Sequence, residues 1–243
     1  DYNQNKLETP KGSRVLYDTE SIEFMENLSQ INQDFVAQYQ EYKQQNNGER
    51  PTASEFYQFI DKLSQVRTQY SSWFGFIDKM GDLDEDQSQA FKLNKNFLIE
   101  LEKTKMTKSF KMVVLDILCK NKFEPINEDE LCKQSFNYLK ETTNLWNELS
   151  PEFKSDELSQ DLYPKWKKYW HDNPIKALTE TSSKYFELRE NKIFTKINRD
   201  IILDKFSDMC SELISYRFLS YKISFDLSYV ELGNFDQNYN QQI

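Results

Sequence analysis

Between Thr52 and Gly81 the chain sets Phe56, Phe59, Ile60, Leu63, Val66, Tyr70, Trp73, Ile77 and Met80 mostly three or four residues apart. That spacing lines one face of a helix and cannot line one face of a strand. The same period recurs at Phe24, Leu28, Ile31, Phe35, Tyr39 and Tyr42, and again at Phe136, Leu139, Trp146 and Leu149. It returns at Ile202, Phe206, Cys210, Leu213, Ile223, Leu227 and Val230. Only five glycines and six prolines punctuate 243 residues, whereas sandwiches, barrels and nucleotide-binding α/β folds spend glycine on turns and phosphate loops. The expected fold is therefore all-α, an elongated bundle of five to seven helices with coiled-coil character at 20–46 and 200–232.

Cap residues mark where the helices begin. Thr52 and Glu55 have capping-box spacing, Gly81 suits a left-handed C-cap, and Asn127 with Glu130 offers another start. Asn173 and Pro174 read as N-cap and first residue of a helical region running almost continuously from Ile175 to about Leu232, with a break near Asn198. The segment "MVVLDILC" reads as helix from its surroundings, although β-branching alone would allow a strand. The domain plan is an extended arm at 1–17, a helical bundle at 18–232 with subdivision near 123–126 or 150–173, and a polar tail at 233–243.

Charge and cysteine content narrow the setting. A net charge of -9 and pI near 4.9 oppose bulk nucleic-acid binding, because that affinity comes from phosphate neutralisation. Charge is also segregated: residues 92–122 carry eight lysines and three acids, and 124–161 carry ten acids and three lysines. Such segments are expected to lie side by side or to face water. Cys119, Cys132 and Cys210 are scattered without a CxxC spacing, which points to free thiols in a reducing, cytoplasmic setting. No apolar run nears the roughly 20 residues that span a bilayer. The chain begins at Asp1 rather than Met, which leaves upstream processing open.

The chemistry is constrained by what is scarce. The one histidine, His171, rules out multi-histidine zinc sites and reads as a surface or capping residue. The alternating acids Asp82, Asp84 and Asp86 imitate a calcium loop, but Gln87 and Leu93 stand where glycine and a bidentate glutamate are needed. Acids at a helix N-terminus explain the run better. No phosphate-loop, nucleophile-elbow or metalloprotease signature occurs, so no catalytic, metal or cofactor-binding residue is assigned and no cofactor is expected.

The stretch "DLYPKWKKYWHDNP" (161–174) concentrates two Trp, two Tyr and three Lys. Trp166 and Trp170 are four residues apart and share a helical face. Core packing with lysines directed outward is the leading reading, and Trp146, Trp166 and Trp170 are expected to be mostly buried. Stacking on unpaired bases and seating at a membrane surface are the alternatives.

The function expected is that of a non-catalytic adaptor, scaffold or assembly subunit with a protein partner or a second copy. Nucleic acid is disfavoured and membrane-surface contact stays open. Candidate partner-binding residues are Trp166, Trp170, Tyr216, Phe218, Phe225 and Tyr229. The last four, with Leu219, lie off the main stripe of a helix whose apolar circumference needs cover from a second layer of the same chain or from another subunit, the subunit being favoured. Truncation after Asn198 is expected to remove association and leave the N-terminal helices folded. The alternative is a carboxylate-dependent enzyme in a bundle cavity.

Overall fold

The computed structural model of the chain describes the backbone over residues 35–60 and 63–239, and side chains over 35–58 and 65–222. The expected arm at 1–17 and most of the expected coiled-coil segment at 20–46 lie outside the described residues. Two units divide at Arg50 and Pro51. In the first, helix α1 (residues 35–45) stops in a turn where Asn47 and Gly48 adopt φ of 56° and 87°. The Gly48 N–H donates to the Lys43 carbonyl at 2.7 Å.

The second unit begins with α2 (Ala53–Ile60), α3 (Leu63–Tyr70) and α4 (Trp73–Met80). The expected stripe from 52 to 80 is thus interrupted between α3 and α4. The Thr52–Glu55 capping box forms, with reciprocal bonds of 2.7 and 3.3 Å. Ser71 at φ 69° ends α3, and Ser72 caps α4 by accepting from the Gly75 N–H at 2.9 Å. This turn requires Gly75, because a Cβ there would sit 2.3 Å from the Tyr70 carbonyl oxygen. Gly81 closes α4 in the left-handed conformation at φ 74°.

Helix α5 (Glu85–Lys103) starts at Asp84, whose capping box with Gln87 accounts for the acid run. It kinks at Asn94, whose side chain bonds both the N–H and the carbonyl of Asn198, at 2.8 and 3.0 Å. Helix α6 (Phe110–Lys120) is the "MVVLDILC" segment and is buried along most of its length. Helix α7 (Glu128–Glu141) starts at the Asn127 cap and stops at Thr142, ahead of the four-residue α8 (Thr143–Trp146).

The chain is mostly helical, but the all-α expectation is corrected by a small antiparallel sheet of order β1-β3-β2: β1 (Ile126–Asn127), β2 (Phe186–Arg189) and β3 (Lys192–Thr195). Glu190 and Asn191 join β2 to β3 with φ of 49° and 59°, a two-residue turn whose twist suits a hairpin. Phe186, Ile193 and Thr195 face inward.

Pro174 also departs from expectation. The helix begins eleven residues earlier at α9 (Tyr163–Trp170), with Pro164 in its first turn, and Pro174 lies within a π-helical continuation over His171–Ile175 and Ala177–Thr181. A proline has no N–H for the ordinary helical bond and its ring crowds the preceding turn, so the helix widens rather than starting there.

The last element, α10 (Leu203–Tyr239), extends helix past Leu232 into the polar tail. Its proximal part packs on α2, α5 and α6, burying Phe206, Met209, Cys210 and Leu213. Glu212 accepts from the Ala53 N–H at 2.9 Å and from the Trp73 indole, tying α10 to the starts of α2 and α4. Cover for residues 203–222 therefore comes largely from the same chain. Truncation after Asn198 would open this core rather than leave the earlier helices intact. Among the described residues no helix is long and apolar enough to cross a membrane.

Candidate partner-binding surface

The segment 163–170 puts its aromatic residues inside. Trp166 and Trp170 are 0% exposed, and the Trp166 indole N–H donates to the Cys132 carbonyl at 2.8 Å. Phe136 and Phe153 pack edge-on against Trp166 at 5.3 and 5.4 Å, and Phe110 packs on Trp170 at 5.6 Å. Trp146 is half-buried beside Phe136. The two indoles of the "KWKKYW" segment therefore form core, as the four-residue spacing suggested, and offer no face for stacking on a ligand.

The lysines between them are largely spoken for. Lys167 pairs with Asp129 at 2.6 Å and Lys168 with Asp172 at 2.5 Å. Asp129 also accepts from the Tyr163 hydroxyl and from Asn191 of the hairpin turn. The Lys167 ammonium, with Tyr163, holds the Asp129 carboxyl down to about 2. Next to it, Glu128 meets His171 Nδ1 at 2.6 Å. This junction fastens α7, α9 and the hairpin together, which gives the lone histidine a structural place.

The opposite-charge segments adjoin without neutralising each other. Helices α6 and α7 pack through apolar faces, and among the described residues no ion pair links 92–122 to 124–161. Two depressions open at the seam around Glu148. The Glu148 carboxylate accepts from the Ser109 N–H at 3.1 Å and the Tyr221 hydroxyl at 3.2 Å, so it anchors α6 and α10. Burial, reinforced by Glu148, pushes Tyr221 up to about 12.

The first depression is an apolar groove of about 410 Å³ between α7–α8 and α10. Tyr138, Leu145, Phe218, Leu219 and Tyr221 form its walls, with Thr142, Asn144, Asn147 and Lys222 at its rim. Phe218 and Tyr138 lie parallel at 6.5 Å. The second is an open cleft of about 740 Å³ beside the α6 N-terminus and the π-helical turn, lined by Lys108, Lys111 and Lys176.

Of the sequence candidates whose side chains are described, only Phe218 reaches an accessible groove. Tyr216 is buried edge-on against Tyr57 at 5.4 Å, and the side chains of Phe225 and Tyr229 lie outside the described residues. Sequence reasoning passed over Tyr138 and Leu145, because a groove exists only where two distant segments diverge. Among the described residues three carboxylates are buried, each with separate partners: Glu102 with Trp73 and Arg67, Asp116 with Lys120, and Glu128 with His171. Among the described residues no group of three or more His, Cys, Asp or Glu could hold a metal ion. Comparison with protein-family models, curated proteins and solved structures finds no match.

Proposed function

We propose that this protein is a non-catalytic interaction subunit that receives an apolar, net-basic helical segment of a partner protein in the groove between α7–α8 and α10. The observation carrying the reading is the groove itself. It gathers aromatic and leucine side chains around an open space large enough for several apolar side chains. Its α7–α8 wall belongs to the acidic 124–161 segment, and the chain's net charge of -9 disfavours a second copy as occupant. Buried carboxylates on separate partners, rather than converging in one cavity, support a binding role over carboxylate catalysis.

Nucleic-acid binding is the second reading, favoured by one feature. Helix, strand, helix, helix and hairpin, with sheet order β1-β3-β2, form the connectivity of a helix-turn-helix followed by a β-wing, with α8 and residues 147–162 inserted between the two helices. The outward face of α9 and its continuation opposes it. Lys168 and Lys176 are matched there by Asp172 and Glu180 four residues on, leaving little charge for phosphates.

A fluorescent amphipathic Lys/Leu peptide tests the groove. Saturable binding by the full chain should persist at physiological salt and fall at least about tenfold with Phe218→Asp or Leu219→Asp. Leu93→Asp, on an exposed leucine of α5, should leave it unchanged. Binding indifferent to the groove substitutions, or sedimentation showing self-association through Leu219, would overturn the reading.

A further inference from the structure

The charge left uncompensated near Glu148 lies in the cleft between the α6 N-terminus and the π-helical turn. Lys111 is half-buried, and its ammonium reaches only the Thr104 hydroxyl, at 3.3 Å. Lys108 reaches the Glu148 carbonyl and the Tyr169 hydroxyl, both at 3.4 Å. Among the described residues no carboxylate lies within ion-pair distance of either. The acids at the cleft are committed, Asp172 to Lys168 and Glu180 to Lys176; Glu100, outside the cleft lining, accepts from the neutral Ser182 hydroxyl and keeps its charge, but stands beyond ion-pair distance of Lys111. Burial lowers the Lys111 pKa, with Glu100 opposing that shift. Partial burial of a cation without a counter-ion is costly, and a ligand anion would remove the cost.

We propose that this cleft binds a phosphate monoester, the dianion being held between Lys108 and Lys111 and the attached group lying over Ala177. Two facts choose phosphate over a single carboxylate. Two positive charges are left over, and one dianion balances both. The Tyr169 hydroxyl, 3.4 Å from the Lys108 ammonium, supplies a donor for a further phosphate oxygen. The volume of about 740 Å³ exceeds that of a bare ion and suits an attached group of small-molecule or peptide side-chain size. The site is independent of the groove, so its failure leaves the groove reading standing.

Free O-phosphoserine and a short phosphoserine peptide are the probes, titrated into the full chain by calorimetry, with serine and the unphosphorylated peptide as blanks. Saturable binding that weakens with salt is expected for the phosphorylated probes alone. Lys108→Met and Lys111→Met should each weaken it about tenfold, since each removes a charge-assisted contact, and Lys95→Met on α5 should not. Lys108 is exposed, so Lys108→Met folds even if the half-buried position resists change, and circular dichroism checks both. Equal affinity for the two probes would identify a small phosphorylated molecule as the source. Much tighter peptide binding would identify a phosphorylated protein. Absence of saturable binding by either probe, or binding undiminished in folded Lys108→Met and Lys111→Met proteins, would overturn the proposal.

Discussion

The α7–α9–hairpin junction and the ground beneath α10 use similar charged groups to opposite ends. At the junction Asp129 is partly exposed and each of its oxygens has a donor: Lys167 and Tyr163 on one, Asn191 on the other. Under α10, Glu102 is 0% exposed; one oxygen accepts from the Trp73 N–H at 2.9 Å and the other has only Arg67, at 3.9 Å. Arg217 nearby donates to the Thr104 carbonyl but leaves its buried Nε without an acceptor. Burial pushes the Glu102 carboxyl up to about 7, despite the downward pull of Trp73 and Arg67. A carboxylate still touching water and fully paired adds to stability. One deprived of both is a load on the fold.

The largest test asks whether charge or core holds the junction. Trp166→Ala should cost about 3–5 kcal/mol in urea unfolding, because it empties the centre of the cluster formed with Phe136 and Phe153. A loss under about 1 kcal/mol would mean that the ion network, not the aromatic packing, fixes α9 on α7.

Next in size, Glu102→Gln should stabilise the protein by roughly 1–3 kcal/mol near pH 8. The folded carboxyl binds its proton more tightly than the unfolded one, so the parent loses stability as pH rises from the ordinary carboxylate range to about 7. The variant lacks that slope, and the two curves should converge below about pH 4. Parallel curves across this range would remove the contrast between the regions.

Asp129→Asn should act in the opposite sense and more weakly, lowering stability by under about 1 kcal/mol after allowance for solvent screening. Because the folded pKa is depressed to about 2, the contribution is present above the ordinary aspartate range and disappears as pH falls through it toward 2. An effect unchanged down to that pH would show that Asn191 and Tyr163 bond to the residue regardless of its charge. Smallest of all, Lys168→Ala should leave the melting temperature where it was. Lys168 is 78% exposed in its pair with Asp172, and a measurable drop would assign the solvent-facing pair a structural role it is not expected to have.

What the amino-acid sequence determined by itself was local. The 3.6-residue period, the Thr52–Glu55 and Asn127 starts and the Gly81 stop depend on neighbours within a turn, and they appear as read. The pairing of Trp166 with Trp170 on one buried face follows from the same period. A hairpin signal was also present in "YFELRENKIFT", where Phe186 and Leu188 alternate with polar residues before Asn191, but β1 gives β3 its second partner from more than sixty residues away. Tertiary structure alone decided the rest. The tight turn at Ser71 interrupts one apolar stripe, the packed π-helical stretch absorbs Pro174, and α2, α5 and α6 supply part of the cover that the apolar circumference of α10 needs. The groove and the lysine cleft belong to this second class. A side chain's period says which way it faces along its own helix, whereas an opening depends on where separate helices fail to touch, and burial sets the balance of charge beside it.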